Sequence, residues 1–192
     1  MTRLAIFSCL LACAAPTPGH AANILYFHSS PSAFIGGRKI VEGVDGFKFT
    51  ASRPFGGVEI TMRNPPGGPN SDLWTAEFIG PNFTLPVPGY YPDAVQFLNG
   101  GSSHPGLDIS GNGRGDNTLT GYFTVLELVL DGAGAVQKFA ADFTQLDEGN
   151  PNWWNEGGIR FNSDLPITNV PEPTTATLLL LGMLGCGCRG RR

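Results

Sequence analysis

Away from its two ends, this chain of 192 residues places apolar side chains at every second position, in short runs cut by Gly, Pro or Asn. That period belongs to strands with one buried face and excludes a helical fold. Phe47, Phe49 and Ala51 form one such face, Val58, Ile60 and Met62 a second, and Trp74, Ala76 and Phe78 a third. The run from Thr118 to Leu130 is apolar on both faces toward its end, with Phe123, Val125 and Val129 on one and Leu126, Leu128 and Leu130 on the other. A central strand is predicted there. Asp131-Gly132-Ala133-Gly134 then reads as a turn and Val136 to Phe143 as the returning strand of a hairpin. The 27 glycines and 16 prolines approach the composition of disordered chains, but the alternation argues for a core. Many short strands separated by turn signals predict a mainly β single domain over residues 22–168, an antiparallel β-sandwich or jelly-roll-like fold.

The ends carry addresses. Arg3, the apolar run Leu4 to Ala15 and the small residues ending Gly19-His20-Ala21 read as a secretory signal peptide over residues 1–21. A rival reading takes Leu10-Leu11-Ala12-Cys13 as a lipoprotein box. At the other end, Val170-Pro171-Glu172-Pro173 precedes an apolar segment from Thr174 to Cys188 and a basic stop of Arg189, Arg191 and Arg192. That segment is shorter than the roughly 20 residues a helix needs to span a bilayer. Its glycines, Gly182, Gly185 and Gly187, suit close contact with another membrane protein. The arginines hold the terminus on the cytoplasmic side, and Glu172 between two prolines lies in an extended segment just outside.

This three-part tail, residues 169–192, resembles the PEP-CTERM sorting signal of Gram-negative bacteria. The resemblance implies a transient membrane intermediate held by the short transmembrane helix. It also implies removal of the tail by an exosortase-like protease, and delivery to the cell surface or extracellular matrix. The alternative is a permanent membrane anchor.

All four cysteines, Cys9, Cys13, Cys186 and Cys188, fall in these end segments, so the domain between them is expected to hold no disulfide and no thiol nucleophile. Removing the end segments leaves eight basic residues against sixteen acidic ones if Glu172 is retained, a net charge of about −8. That balance argues against nucleic acid as a partner, since phosphate binding draws on lysine and arginine.

Trp74 to Phe78, Leu85 to Tyr91, Pro105 to Asp108, Gly113-Arg114-Gly115 with Asn117, Gly121 to Glu127, Phe139 to Phe143 and Ile159 to Ser163 resemble a domain of exported bacterial proteins that often precedes such a tail. The likeness covers most of the mature chain and brings no activity with it. It implies that Asp116 and Asp147 stand where cysteines often sit, so that two carboxylates replace a cross-link.

Trp153 and Trp154, and likewise Tyr90 and Tyr91, are adjacent, and neighbours in a strand point to opposite faces. One ring of each pair is therefore expected outside, as a stacking platform for sugar rings. Asp108, Asn112 and Asp116 lie in a glycine-rich stretch that faintly resembles a calcium loop, but Leu119 occupies the position of the bidentate Glu, and an Asx-rich turn is favoured. No metal or cofactor is expected. Arg114-Gly115-Asp116 spells an adhesion tripeptide and is read as incidental. The mature chain has only His28 and His104, with no nucleophile elbow or zinc helix around them. Glu127, Asp142 and Glu156 are the carboxylates that a secreted carbohydrate-active enzyme would use. The reading favoured over that enzyme is a non-enzymatic surface protein associated with extracellular polysaccharide.

Mass spectrometry of surface-extracted protein should find a C-terminus between Pro171 and Thr174; an intact terminus at Arg192 would leave a plain anchor.

Overall fold

The computed structural model describes residues 22–35, 39–42, 46–64, 72–97 and 103–167. The expected signal peptide, the Val170-Pro171-Glu172-Pro173 motif, the apolar segment and Arg189, Arg191 and Arg192 lie outside the described residues. Among the described residues, no helix is long and apolar enough to cross a membrane.

Ten strands run β1 (Ala22–Ser29), β2 (Lys39–Glu42), β3 (Lys48–Ser52), β4 (Val58–Arg63), β5 (Leu73–Ile79), β6 (Gly89–Gln96), β7 (Gly106–Gly111), β8 (Leu119–Leu130), β9 (Val136–Asp147) and β10 (Trp154–Ser163). They form one sheet in the order β2-β1-β10-β9-β8-β6-β7-β5-β4-β3. The protein is thus mainly β, as the alternation predicts. The strands do not form an all-antiparallel array, however. β6 and β7 pair in parallel through Val95–Gly106 and Gln96–Leu107, which makes the sheet mixed and nearly closed.

Closure brings distant strands together over one core. Phe27 on β1 meets Trp74 on β5 with ring centroids 5.4 Å apart. Phe78, also on β5, lies 5.3 Å from both Phe123 on β8 and Phe139 on β9. The alternating residues Val58, Ile60, Met62, Ala76 and Phe78 are fully buried, so each strand read from period 2 turns its apolar face inward.

The apolar double face of β8 has a different cause from the one its sequence suggests. Val125 pairs with Ala141 and Glu127 with Ala140, which leaves Leu126 as the extra residue of a β-bulge. Beyond the bulge the inward side changes parity, so Leu128 and Leu130 pack against the core while Leu126 and Val129 are exposed. The strand is central in the sheet, but its second face is not covered. The following turn is held by Asp131, whose Oδ1 accepts Ala133 N–H and Ala135 N–H at 2.9 and 2.8 Å. Those bonds hold its carboxyl below the ordinary range.

β10 approaches its neighbours closely because it carries Gly157 and Gly158. A Cβ at Gly157 would stand 2.0 Å from Tyr26 O, and one at Gly158 2.5 Å from Asp142 Oδ1. The space at Gly158 serves Arg160, fully buried, whose guanidinium donates to Ala141 O, Ile159 O, Leu165 O, Pro166 O and Asp142 Oδ1. A buried cation demands this saturation. The bonds to 165 and 166 fold the exit of the domain back over its last strand.

Truncating Phe78 to Ala should cost about 3–5 kcal/mol in urea unfolding, whereas Leu126→Ala on the exposed bulge should stay within about 0.5 kcal/mol. Neither value should respond to reductant.

Candidate functional site

Strand β6 carries an open aromatic surface. Tyr91 turns inward and stacks on Phe123, centroids 4.6 Å apart at 12°, with its hydroxyl donating to Val87 O at 2.8 Å. Tyr90 therefore turns outward and is 61% exposed. Its ring lies 6.0 Å from that of Tyr122 on β8, which is 43% exposed. After Tyr91 the register slips, so that Pro92 and Asp93 form a bulge opposite Tyr122. Asp93 there adopts φ 53°, a left-handed conformation uncommon for a residue with a Cβ. Bulges and such conformations re-aim side chains beside binding sites. Two clefts of about 470 and 410 Å3 flank the Tyr90 ring, and Pro92, Asp93 and His104 line both. Thr120 adds a hydroxyl to the larger one. Apolar ring faces beside a carboxylate, an imidazole and a hydroxyl are what a pyranose needs for stacking and hydrogen bonding.

The tryptophans are placed differently. Trp153 lies edge-on to Phe34 at 5.3 Å and Trp154 edge-on to His28 at 5.0 Å, and both are half-buried. Each ring is engaged by a side chain from the β1 end of the chain, so neither presents an open platform. The sequence reading missed Tyr122. Its signal was the alternation of β8, which sets Thr120, Tyr122 and Thr124 outward against the buried Gly121, Phe123 and Val125.

Asp108, Asn112 and Asp116 do come together, lining an open cleft of about 820 Å3 with Asp72, Thr75, Ser110 and Arg114. The geometry is that of a turn. Asn112 and Gly113 both have positive φ, and Gly111 and Arg114 exchange backbone hydrogen bonds, as in a tight Asn-Gly hairpin. Asn112 Oδ1 accepts Leu73 N–H at 3.1 Å, so it already has a donor. Among the described residues, no three His, Cys, Asp or Glu side chains cluster as a metal site. Asp116 is only 8% exposed, which places the adhesion tripeptide out of reach.

Beside the cleft, an acidic row crosses the outer face of the sheet, since Glu59 pairs with Glu77 and Glu77 with Asp108. Burial first, then the neighbouring Asp108 and Glu59, push Glu77 up to about 7. Burial raises Asp108 to about 6 against the opposing bond from Gln96. The three carboxylates proposed for hydrolysis are spread over three strands and engaged. Glu127 accepts Ser163 Oγ–H at 2.6 Å, Asp142 holds Arg160, and Glu156 stands 3.9 Å from His28 Nε2.

Comparison with family models, with curated proteins and with solved structures returned no match for this chain.

Because Glu77 is easier to protonate in the folded state than its ordinary 4.5, its contribution to stability is complete below about pH 4.5 and is lost as pH rises through about 7. Glu77→Gln should therefore gain about 1–2 kcal/mol over the native protein at pH 8 relative to pH 5, after allowance for solvent screening. Urea unfolding at the two pH values measures this; an equal difference at both would remove Glu77 from the balance.

Proposed function

We propose that this is an exported, non-enzymatic protein that its PEP-CTERM-like tail sorts to the cell surface or extracellular matrix, where its β-domain contacts polysaccharide. The observation that carries the contact is the outward pair Tyr90 and Tyr122, set beside Asp93 and His104 by the bulge in β6. Two tilted, exposed rings stack on sugars without a covalent step, and Glu127, Asp142 and Glu156, the carboxylates singled out in the sequence for hydrolysis, already hold Ser163, Arg160 and His28. The membrane and an exosortase-like protease are transient partners in this reading. The excess of acidic residues favours neutral or cationic chains over acidic polysaccharide and disfavours nucleic acid. The narrow parallel join of β6 and β7 further suits a sandwich-like reading of the fold, with the join as its crease.

Affinity electrophoresis through gels containing the producing organism's own exopolysaccharide tests this. Tyr90→Ala and Tyr122→Ala should each weaken retardation about 3- to 10-fold with an unchanged melting temperature. Trp153→Ala should instead lower the melting temperature. Retardation that survives both tyrosine substitutions would refute the platform, and release of reducing sugar would favour the carbohydrate-active enzyme.

A further inference from the structure

Asp116, at the end of the Asn-Gly turn, and Asp147, closing β9, are two of the most buried carboxyls, 8% and 0% exposed. Every oxygen but one has a donor. Asp147 Oδ1 accepts Asn155 Nδ2–H and Asp147 Oδ2 accepts Phe34 N–H, each at 2.5 Å. Asp116 Oδ2 accepts Gln145 Nε2–H at 2.8 Å. Asp116 Oδ1 is buried and has no donor; Gln145 and Asp147 stand two residues apart on one buried face of β9, so the Gln145 bond sets the Asp116 carboxyl beside Asp147. Among the described residues, neither carboxyl has a cationic partner.

Two carboxylates side by side and away from water are not both ionised. Since Asp147 already receives two N–H donors, the proton belongs on Asp116 Oδ1 and is donated to Asp147. We propose that Asp116 and Asp147 share one proton that latches the Asn112–Gly113 turn to the Phe34 segment and to β10, and that loss of this proton releases the turn.

The groups around the pair leave no substitute for that proton. Asp108 faces it from β7 and adds negative charge. Glu148, the residue after Asp147, accepts Asn117 N–H and Thr118 Oγ–H. Arg114 directs Nη1 toward Ile35 O at 3.4 Å. Gln96 on β6 donates to Asp116 O, and Asn155 on β10 is neutral. Burial, then the charge of Asp147, raise Asp116 from 3.8 to about 8. The latch is therefore closed at neutral pH. The stability it confers is complete below about pH 4 and is lost as pH rises through about 8.

The latch reaches a reporter. Asp147 holds Phe34 N–H and the Phe34 ring packs on Trp153, so release of the pair alters the surroundings of that indole. The test follows tryptophan emission of the full-length protein in detergent from pH 6 to 10. The native protein should show a reversible transition centred near pH 8, strongly reduced in Trp153→Phe. In Asp116→Asn, whose amide donates permanently to Asp147, the transition should vanish, with emission held at the closed-state value. An unchanged transition in Asp116→Asn would overturn the proposal. So would a 13C carboxyl titration in the native protein that places Asp116 in the ordinary carboxylate range. That second measurement decides the matter should the variant fail to fold.

Discussion

Where β6 ends, the continuity of the sheet depends on one side chain, the buried amide of Gln145. β7 pairs along one edge with β5, but along the other it meets β6 only at Gly106 and Leu107. Ile109, further along, would leave its backbone groups unpaired in the interior, at a cost of about 1–3 kcal/mol each. Gln145, reaching across from β9, accepts Ile109 N–H at 2.8 Å and donates to Ile109 O at 3.2 Å, as a neighbouring strand would. The same amide donates to Asp116. One residue thus seals the sheet, completes a strand edge and orients the carboxyl pair.

With no cysteine in the domain, covalent bracing is replaced by an aromatic core and a few saturated polar centres. Phe78, Phe123 and Phe139 form that core. Arg160 fastens the exit of the domain, and the Asp116–Asp147 pair fastens the Asn-Gly turn to Phe34. Such centres contribute only while each donor and acceptor is met. The function proposed for the protein depends on one departure from regular pairing, the bulge in β6 that sets Asp93 beside Tyr90 and Tyr122.

The strands legible in the sequence were those whose outer face meets solvent. β3, β4 and β5 show clean alternation because one side is polar, and the β8–β9 hairpin is marked by its Asp131–Gly134 turn. β1 does not, since Leu25, Tyr26 and Phe27 are buried in succession on both faces. β10 is masked by Gly157, Gly158 and Arg160, whose roles appear only when Tyr26 and Asp142 are beside them. The outward turn of Tyr90 followed from strand geometry, but Tyr122 as its companion required the register of β6 on β8. The partners of Trp153 and Trp154, Phe34 and His28, come from the opposite end of the domain and leave no local trace. Asp116 was paired with Asp147 by resemblance alone, since no spacing rule joins them.

Native-state hydrogen exchange at the Ile109 amide tests the role of Gln145 most directly. If the Gln145 amide seals the sheet, Ile109 N–H should exchange only with global unfolding in the native protein. In Gln145→Ala its protection should fall far more than that of Ala76 on the adjoining strand. Exchange of Ile109 in the native protein as fast as that of the exposed Gly132 turn, or protection unaffected by Gln145→Ala, would contradict the account.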